Sequence, residues 1–130
     1  MNDVARDTLD PIASHPIMRA LVLNGALPGD ETLAPIEEAL LSLLRDAGSE
    51  VRHYSMRDVP LAYCQGCFAC WTHSPGLCKT EGDAGRELAG AIIGSELLVI
   101  LTPVTFGGSS SERKKVLDRS ICLVQPFFRR

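Results

Sequence analysis

The chain has little that would let it bind nucleic acid or cross a membrane. Its 130 residues include 13 Lys and Arg against 16 Asp and Glu, a net charge of −3. The basic surface that drives binding to nucleic-acid phosphates is therefore missing. The longest apolar stretch, residues 97–104, falls far short of the roughly 20 residues that a membrane span needs. The N-terminus carries charges and no apolar core, so it does not resemble a signal peptide. We expect a cytoplasmic protein that binds neither nucleic acid nor membranes.

The composition excludes a disordered protein and a fold of several domains. Aromatic residues are only 5% of the chain, but apolar residues are 45% and charged residues 22%, as in ordinary globular domains. A chain of this length has room for one hydrophobic core. Residues 1–18 contain Pro11 and Pro16 and show no sustained period, which predicts an N-terminal arm. Residues 19–130 are predicted to form one domain.

The hydrophobic pattern of residues 19–130 alternates between strand and helix signals. The apolar run 97–102 predicts a buried strand, and so does the run 19–26, which Asn24-Gly25 stops with a tight turn. Alternation over 50–56 predicts another strand, and apolar residues at spacings of three and four predict helices. Pro35 suits only a first helical turn, Gly48 suits a helix C-terminus, and Ser110 or Ser111 can cap the last helix. The order predicts an α/β fold with a parallel sheet. The predicted strands are 19–26, 50–56 and 97–102, and the predicted helices are 32–47, 83–94 and 111–124.

Four of the five cysteines lie in the long segment between the second strand and the second helix. Cys64, Cys67, Cys70 and Cys78 fall within fifteen residues. In a chain without an export signal, such clustering favours metal, cluster or redox chemistry over structural disulfides. The fifth, Cys122, lies in an apolar run and is interpreted as a small buried hydrophobic residue.

The chemistry of this cysteine loop stays open on spacing alone. Three thiolates spaced by two residues, with a fourth across the Pro75-Gly76 turn, suit an iron–sulfur cubane. The same four residues could hold tetrahedral zinc, or a Cys-x-x-Cys pair could act as a redox dithiol. His73 is interpreted as a solvated side chain, and Trp71 as an anchor of the loop.

The motifs together resemble a known family. The combination C-x-G-C-F-x-C-W-x-x-x-P-G-x-C, followed by T-P-V-x-F-G-G and then L-D-R, resembles the NAD(P)H-dependent FMN reductases of flavodoxin-like fold. The nearest relatives would be the iron–sulfur flavoproteins. The resemblance implies a parallel sheet of order 2-1-3-4-5 that binds FMN at its β-α loops. It also implies a dimer or a higher oligomer.

The resemblance assigns site residues by position. The phosphate loop would run from Gly25 to Thr32. The four clustered cysteines, Cys64, Cys67, Cys70 and Cys78, would hold a [4Fe–4S] cluster. NAD(P)H would supply hydride to the flavin, which would pass electrons to a small molecule or a protein. The flavin ring would be lined by Pro103, Val104, Thr105, Phe106 and Gly107.

Two features of the chain qualify what the resemblance implies. Asp30 and Glu31 bring negative charge to the phosphate loop, and this loop contains no cation, so we expect weak FMN binding. The chain also ends after about three of the usual five strands. A partner subunit that completes the sheet, or a truncated product, would account for this. The leading hypothesis is a flavin-dependent NAD(P)H oxidoreductase. The alternatives are a non-catalytic subunit and a metal-binding module of the same fold.

Overall fold

The structure, a computed structural model that describes residues 17–124, contains a three-stranded parallel sheet. Strand β1 (Arg19–Asn24) lies in the middle, between β2 (Glu50–Ser55) and β3 (Leu97–Leu101). In register, Ala20 of β1 is paired with Val51 of β2 and with Leu97 of β3. The order β2-β1-β3 confirms the predicted flavodoxin-like α/β fold.

Side chains of β1 alternate between the two faces of the sheet, so both faces present apolar residues. Helices cover both faces. Helix α1 (Ala34–Asp46) packs Leu44 against Ala20 and Val22 on one face. Leu21 and Leu23 point to the other face and join a second core cluster. That cluster receives Leu88 and Ala91 from helix α3 (Gly85–Gly94) and Val116 from helix α4 (Ser111–Arg119).

The roles predicted for three residues at helix ends are confirmed. Pro35 lies in the first turn of α1. Gly48 ends that helix with a positive φ of 78°, and its N–H donates to the carbonyl of Arg45. Ser110 caps α4, because its hydroxyl oxygen accepts a hydrogen bond from the N–H of Arg113.

The first strand ends at Asn24, at the predicted Asn24-Gly25 turn, where the Asn24 side chain accepts a hydrogen bond from the N–H of Ala26. Two other predicted boundaries were wrong. The last α-helix stops at Arg119 and continues as a 3₁₀ turn, Ser120–Leu123. There, the Ser120 hydroxyl donates to the carbonyl of Val116. The second strand ends at Ser55 and is followed by a 3₁₀ turn.

The segment between β2 and α3 is more regular than its sequence predicted. A 3₁₀ turn, Met56–Asp58, continues from β2, and a short helix α2 (Ala69–Thr72) forms inside the cysteine loop. Both elements are too short to leave a periodic signal in the sequence. The chain between β3 and α4 forms a hairpin of two short strands, β4 (Val104–Thr105) and β5 (Gly108–Ser109).

Strand β3 is less covered than its neighbour within one chain. Its neighbour β1 is fully buried after Arg19, but Leu98 in β3 is 40% exposed. Among residues 17–124, β3 pairs with β1 alone, so its outer edge has no neighbouring strand.

The sequence predicted an N-terminal arm over residues 1–18. Residues 1–16 of the predicted N-terminal arm lie outside the described residues, so the domain boundary stays a prediction.

Within residues 17–124, no helix is both long and apolar enough to cross a membrane.

Candidate functional site

The loops after β1 and β3 meet at the carboxyl edge of the sheet, where parallel α/β proteins bind ligands. Ser110 joins them, because its hydroxyl donates to the carbonyl of Gly25 and its backbone N–H donates to Oγ1 of Thr102 at 3.0 Å. A Cβ atom on Gly25 would lie 3.0 Å from the Ser110 hydroxyl and 3.1 Å from the carbonyl oxygen of Leu101. Glycine at position 25 therefore lets the two loops approach closely.

Arg57, from the turn after β2, supplies a cation to the predicted phosphate loop. Its Nη1 donates to the backbone carbonyl of Asp30 at 3.1 Å and to that of Leu27 at 3.4 Å. Its Nη2 lies 2.7 Å from a carboxylate oxygen of Glu31. The sequence placed no cation within the loop, and the structure brings one to it from the adjacent strand.

The acidic residues of this loop have partners. The Asp30 carboxylate accepts hydrogen bonds from the N–H and the hydroxyl of Thr32, at 2.9 and 2.7 Å. These hydrogen bonds lower the pKa of Asp30, so that it stays ionised. Thr32 lies in the loop as predicted, but its hydroxyl is bonded to Asp30. One Arg57 charge against two carboxylates leaves the loop with a net negative charge.

The predicted flavin-ring residues lie together at the hairpin after β3. Phe106 lies at its tip with a positive φ of 49°, and its side chain is fully exposed. Val104 is 83% exposed. Thr105 and Gly107 lie in this hairpin, and Pro103 directly precedes it. An exposed aromatic ring beside the carboxyl edge is a surface on which a flat ligand could stack.

All five cysteines line one small cavity under the cysteine loop. Its volume is about 40 Å³, and Phe68, Ile121 and Arg119 complete much of its wall. Cys70 is buried, and burial raises the pKa of its thiol, whereas Cys67 is exposed. All five thiols are free, and they are Cys64, Cys67, Cys70, Cys78 and Cys122.

Local geometry turns the cysteine loop toward this cavity. Phe68 adopts a left-handed conformation, with φ of 52°, just before α2 begins. The indole N–H of Trp71 donates to the carbonyl of Ile121 at 3.0 Å, which ties the loop to the turn after α4. The interpretation of Trp71 as a loop anchor is therefore confirmed. His73 is exposed, and its Nδ1 lies 2.8 Å from the Thr72 hydroxyl.

A buried ion pair holds both ends of the cysteine segment against α4. Arg119 donates to both carboxylate oxygens of Asp83, at 2.6 and 3.1 Å, and to the carbonyl of Ala62 at 3.0 Å. Asp83 also accepts from the N–H groups of Ala62 and Gly85. The Arg119 hydrogen bonds hold the pKa of Asp83 well below its usual range. A Cβ on Gly85 would lie 2.1 Å from Nη2 of Arg119, so glycine leaves space for the guanidinium.

This ion pair makes stability depend on pH in the acid range. The folded-state pKa of Asp83 is depressed, so its contribution is present above the unfolded pKa near 3.8 and is lost as pH falls through the folded value. Urea unfolding at pH 7 and pH 3 should therefore show a larger loss for the wild type than for Asp83→Asn. Equal losses in both proteins would contradict the pair's role.

The cysteine cavity suits an iron–sulfur cluster in its donors. Among the described residues, no group of three or more His, Cys, Asp or Glu side chains is placed to hold a metal ion. A cubane separates its thiolates more widely, because each thiolate binds a different iron. The loop would therefore have to rearrange to hold a cluster, and Cys67 is its exposed cysteine. The four loop thiols fit a cluster by kind and number, and all four line one cavity.

Comparison with known proteins agrees with the sheet order and the motifs. Residues 18–129 match the sequence pattern of NADPH-dependent FMN reductases. The chain belongs to the NADPH-dependent FMN reductase family. The predicted family membership is thus confirmed over most of the chain.

Iron–sulfur flavoproteins from two archaea are similar in sequence. One from Archaeoglobus fulgidus is 33% identical over 84 residues, which cover 65% of this chain and 42% of the relative. One from Methanocaldococcus jannaschii is 31% identical over 110 residues, which cover 79% and 52%. A second A. fulgidus protein is 27% identical over 103 residues, covering 79% and 49%. The chain spans about half the length of these curated relatives.

Sequence reasoning missed three residues that the structure brings to these sites. Arg57 follows β2 by two residues, a position at the same sheet edge as the phosphate loop, and this signal could have been used. Cys122 is buried, as predicted, but it also lines the cavity of the other cysteines. Arg119 belongs to the L-D-R motif, and nothing local in that motif indicates a buried guanidinium.

Proposed function

We propose that this chain is the FMN-binding part of an NAD(P)H-dependent oxidoreductase that carries an iron–sulfur cluster in its cysteine loop. FMN, when bound, supplies hydride acceptance from a nicotinamide and release of electrons singly or in pairs. The protein supplies binding, orientation and electrostatics. Family membership and the iron–sulfur flavoprotein relatives support this proposal.

The proposal that this chain binds flavin depends on three loops that meet at one edge of the sheet. Ser110 links the first loop to the third, and Arg57 links the turn after β2 to the first. Backbone N–H groups near the start of α1 and the Arg57 guanidinium would bind the phosphate. The exposed Phe106 ring, together with Pro103 and Val104, would support the isoalloxazine.

The cysteine part depends on the common cavity. Cys64, Cys67, Cys70 and Cys78 would each bind one iron, and the cluster would supply a one-electron carrier beside a two-electron flavin. Such a pair of cofactors divides a hydride into single electrons for an acceptor that takes them one at a time. We propose a small molecule or a protein as that acceptor.

Purification under anaerobic conditions, with and without added iron, sulfide and FMN, tests this function. We expect flavin absorption bands together with a broad iron–sulfur absorbance, and bleaching of the flavin by NADH or NADPH. Flavin without iron and sulfide would contradict the cluster. Iron or zinc without flavin would instead support a metal-binding module, which the residual negative charge of Asp30 and Glu31 favours. Neither cofactor would support a non-catalytic subunit.

We further propose that β3, the hairpin and α4 are covered in the native protein by a second copy of this chain. Leu98, Val104, Phe106 and Leu117 are all at least 40% exposed on these consecutive elements. Burying a side chain of this size stabilises a protein by about 1.5–3 kcal/mol, and two-fold symmetry is the commonest arrangement.

Sedimentation equilibrium at low micromolar concentration should therefore give a dimer. Phe106→Ser should shift that equilibrium toward monomer, whereas Leu43→Ser, which removes an exposed leucine from α1, should not. A folded wild-type monomer would contradict this prediction.

A further inference from the structure

Arg119 is buried against the cysteine cavity with one donor unused. Its side chain is only 3% exposed. The two terminal nitrogens bind Asp83 and the carbonyl of Ala62, but Nε has no hydrogen-bond partner among the described residues. Arg119 is also a wall residue of the cavity that the cysteines line.

A buried, charged donor without a partner is costly. Leaving such a group unsatisfied costs more than the net gain of an ordinary hydrogen bond, because the desolvation is not recovered. Native proteins therefore place an acceptor, a water or a ligand at such atoms. The neighbouring wall offers sulfur. Cys78 and the other cysteines line this same cavity with Arg119.

Neutral thiols are weak acceptors, whereas thiolates and the sulfides of a cluster are strong ones. A [4Fe–4S] cluster with four thiolates has a net negative charge, and reduction adds one more electron. A fixed cation in its wall therefore stabilises the reduced form more than the oxidised form. Hydrogen bonds to the sulfurs and local charge are the means by which proteins set cluster potentials.

We propose that Arg119 is a positioning residue for the cluster site: its Nε–H donates to a sulfur in the cysteine cavity, and its charge raises the reduction potential of the cluster. This inference rests on the proposed function of the cysteine loop. Asp83 orients the guanidinium by binding both terminal nitrogens, so that Nε is left for the cavity. Gly85 leaves the space in which this arrangement fits.

Variants of Asp83 and Arg119 are expected to shift the reduction potential of the cluster in opposite directions. A structural role would make the two residues equivalent, because removing either breaks the same ion pair. An electrostatic role makes them opposite, because Arg119→Gln removes a positive charge near the cluster and Asp83→Asn removes a negative charge. Arg119→Lys keeps the charge and can still pair with Asp83, but it has no Nε–H.

The experiment reconstitutes the full chain anaerobically with iron and sulfide and titrates the cluster potentiometrically, following visible absorbance and the EPR signal of the reduced form. We expect Arg119→Gln to lower the equilibrium constant for one-electron reduction about tenfold, which is about 59 mV. Arg119→Lys should lower it less, and Asp83→Asn should raise it. Lys114→Gln, an exposed charge change on the same helix, should leave it unchanged.

The outcomes separate this inference from the function on which it rests. A wild type that binds iron and sulfide, with equal potentials in all variants or with the same sign for Asp83→Asn and Arg119→Gln, would overturn the inference and leave the proposed function intact. A wild type that binds no iron and sulfide would overturn both. If Arg119→Gln does not fold by circular dichroism, the opposite shifts expected of Arg119→Lys and Asp83→Asn decide.

Discussion

The Cys67→Ser variant should lose essentially all the iron that the wild type binds under anaerobic conditions. Cys67 is the exposed member of the loop set, so the substitution removes a ligand without opening the core. Exposed substitutions away from special features change stability by no more than about 0.5 kcal/mol. Loss of one thiolate leaves an iron of a cubane without its protein ligand, and serine replaces it poorly. Elemental analysis for iron and zinc, with acid-labile sulfide, is the measurement.

Cys122 provides the matched control, because it lines the same cavity from outside the motif. Its buried thiol donates to the carbonyl of Arg119 at 3.3 Å, and burial raises the pKa of this thiol. Cys122→Ala should keep the wild-type iron content. Equal iron in Cys67→Ser and the wild type would contradict the ligand assignment. Equal loss in both variants would mean that folding of the loop, rather than ligation, controls the metal.

The residues that end the helices follow from patterns that are local in the chain, whereas the sheet order was expected from the family resemblance. The continuous apolar run of β1 predicted a buried strand, and β1 lies at the centre of the parallel sheet. The helix ends could be predicted because a first-turn proline, a C-terminal glycine and a capping serine each act within one helical turn. These residues are Pro35, Gly48 and Ser110. These features could be predicted because no distant residue changes them.

The partners within the sites could not be predicted in the same way. Asp83 and Arg119 are separated by 36 residues and become an ion pair only when α3 and α4 pack side by side. The exposure of Leu98 depends on which strands flank β3, and no local pattern reports this. Arg57 lies outside the predicted phosphate loop, and Arg119 lies outside the cysteine loop, yet each reaches one of these candidate sites. The packing of segments that are distant in the chain brings these two positive charges to the phosphate loop and to the cysteine cavity.

The two arginines also differ in what they can do. Arg119 is almost completely buried, so its charge acts on the cysteine cavity with little screening by solvent. Arg57 is 22% exposed and pairs with the more exposed Glu31, so its charge can be redirected when an anion arrives. A redirected Arg57 would offset the two acidic residues that led us to expect weak FMN binding.

Replacing Arg57 with Gln should therefore weaken FMN binding by about 10- to 100-fold, while riboflavin binding changes little. A hydrogen bond to a charged group contributes about 1.5–3 kcal/mol, and each 1.4 kcal/mol is tenfold in affinity. Riboflavin shares the ring of FMN and lacks its phosphate, so it reports any damage to the rest of the site. Fluorescence titration of both ligands under the same conditions gives the two dissociation constants.

Two further variants test this prediction by their effect on FMN affinity. Glu31→Gln releases Arg57 from its ion pair and removes a negative charge, so it should tighten FMN binding and leave riboflavin unchanged. Arg57→Lys should restore part of the affinity lost in Arg57→Gln, because it returns the charge without the planar pair of donors. The guanidinium also holds the carbonyls of Leu27 and Asp30, so a collapsed loop is the competing explanation. A collapsed loop would weaken both ligands equally, and that result would remove Arg57 from the phosphate site.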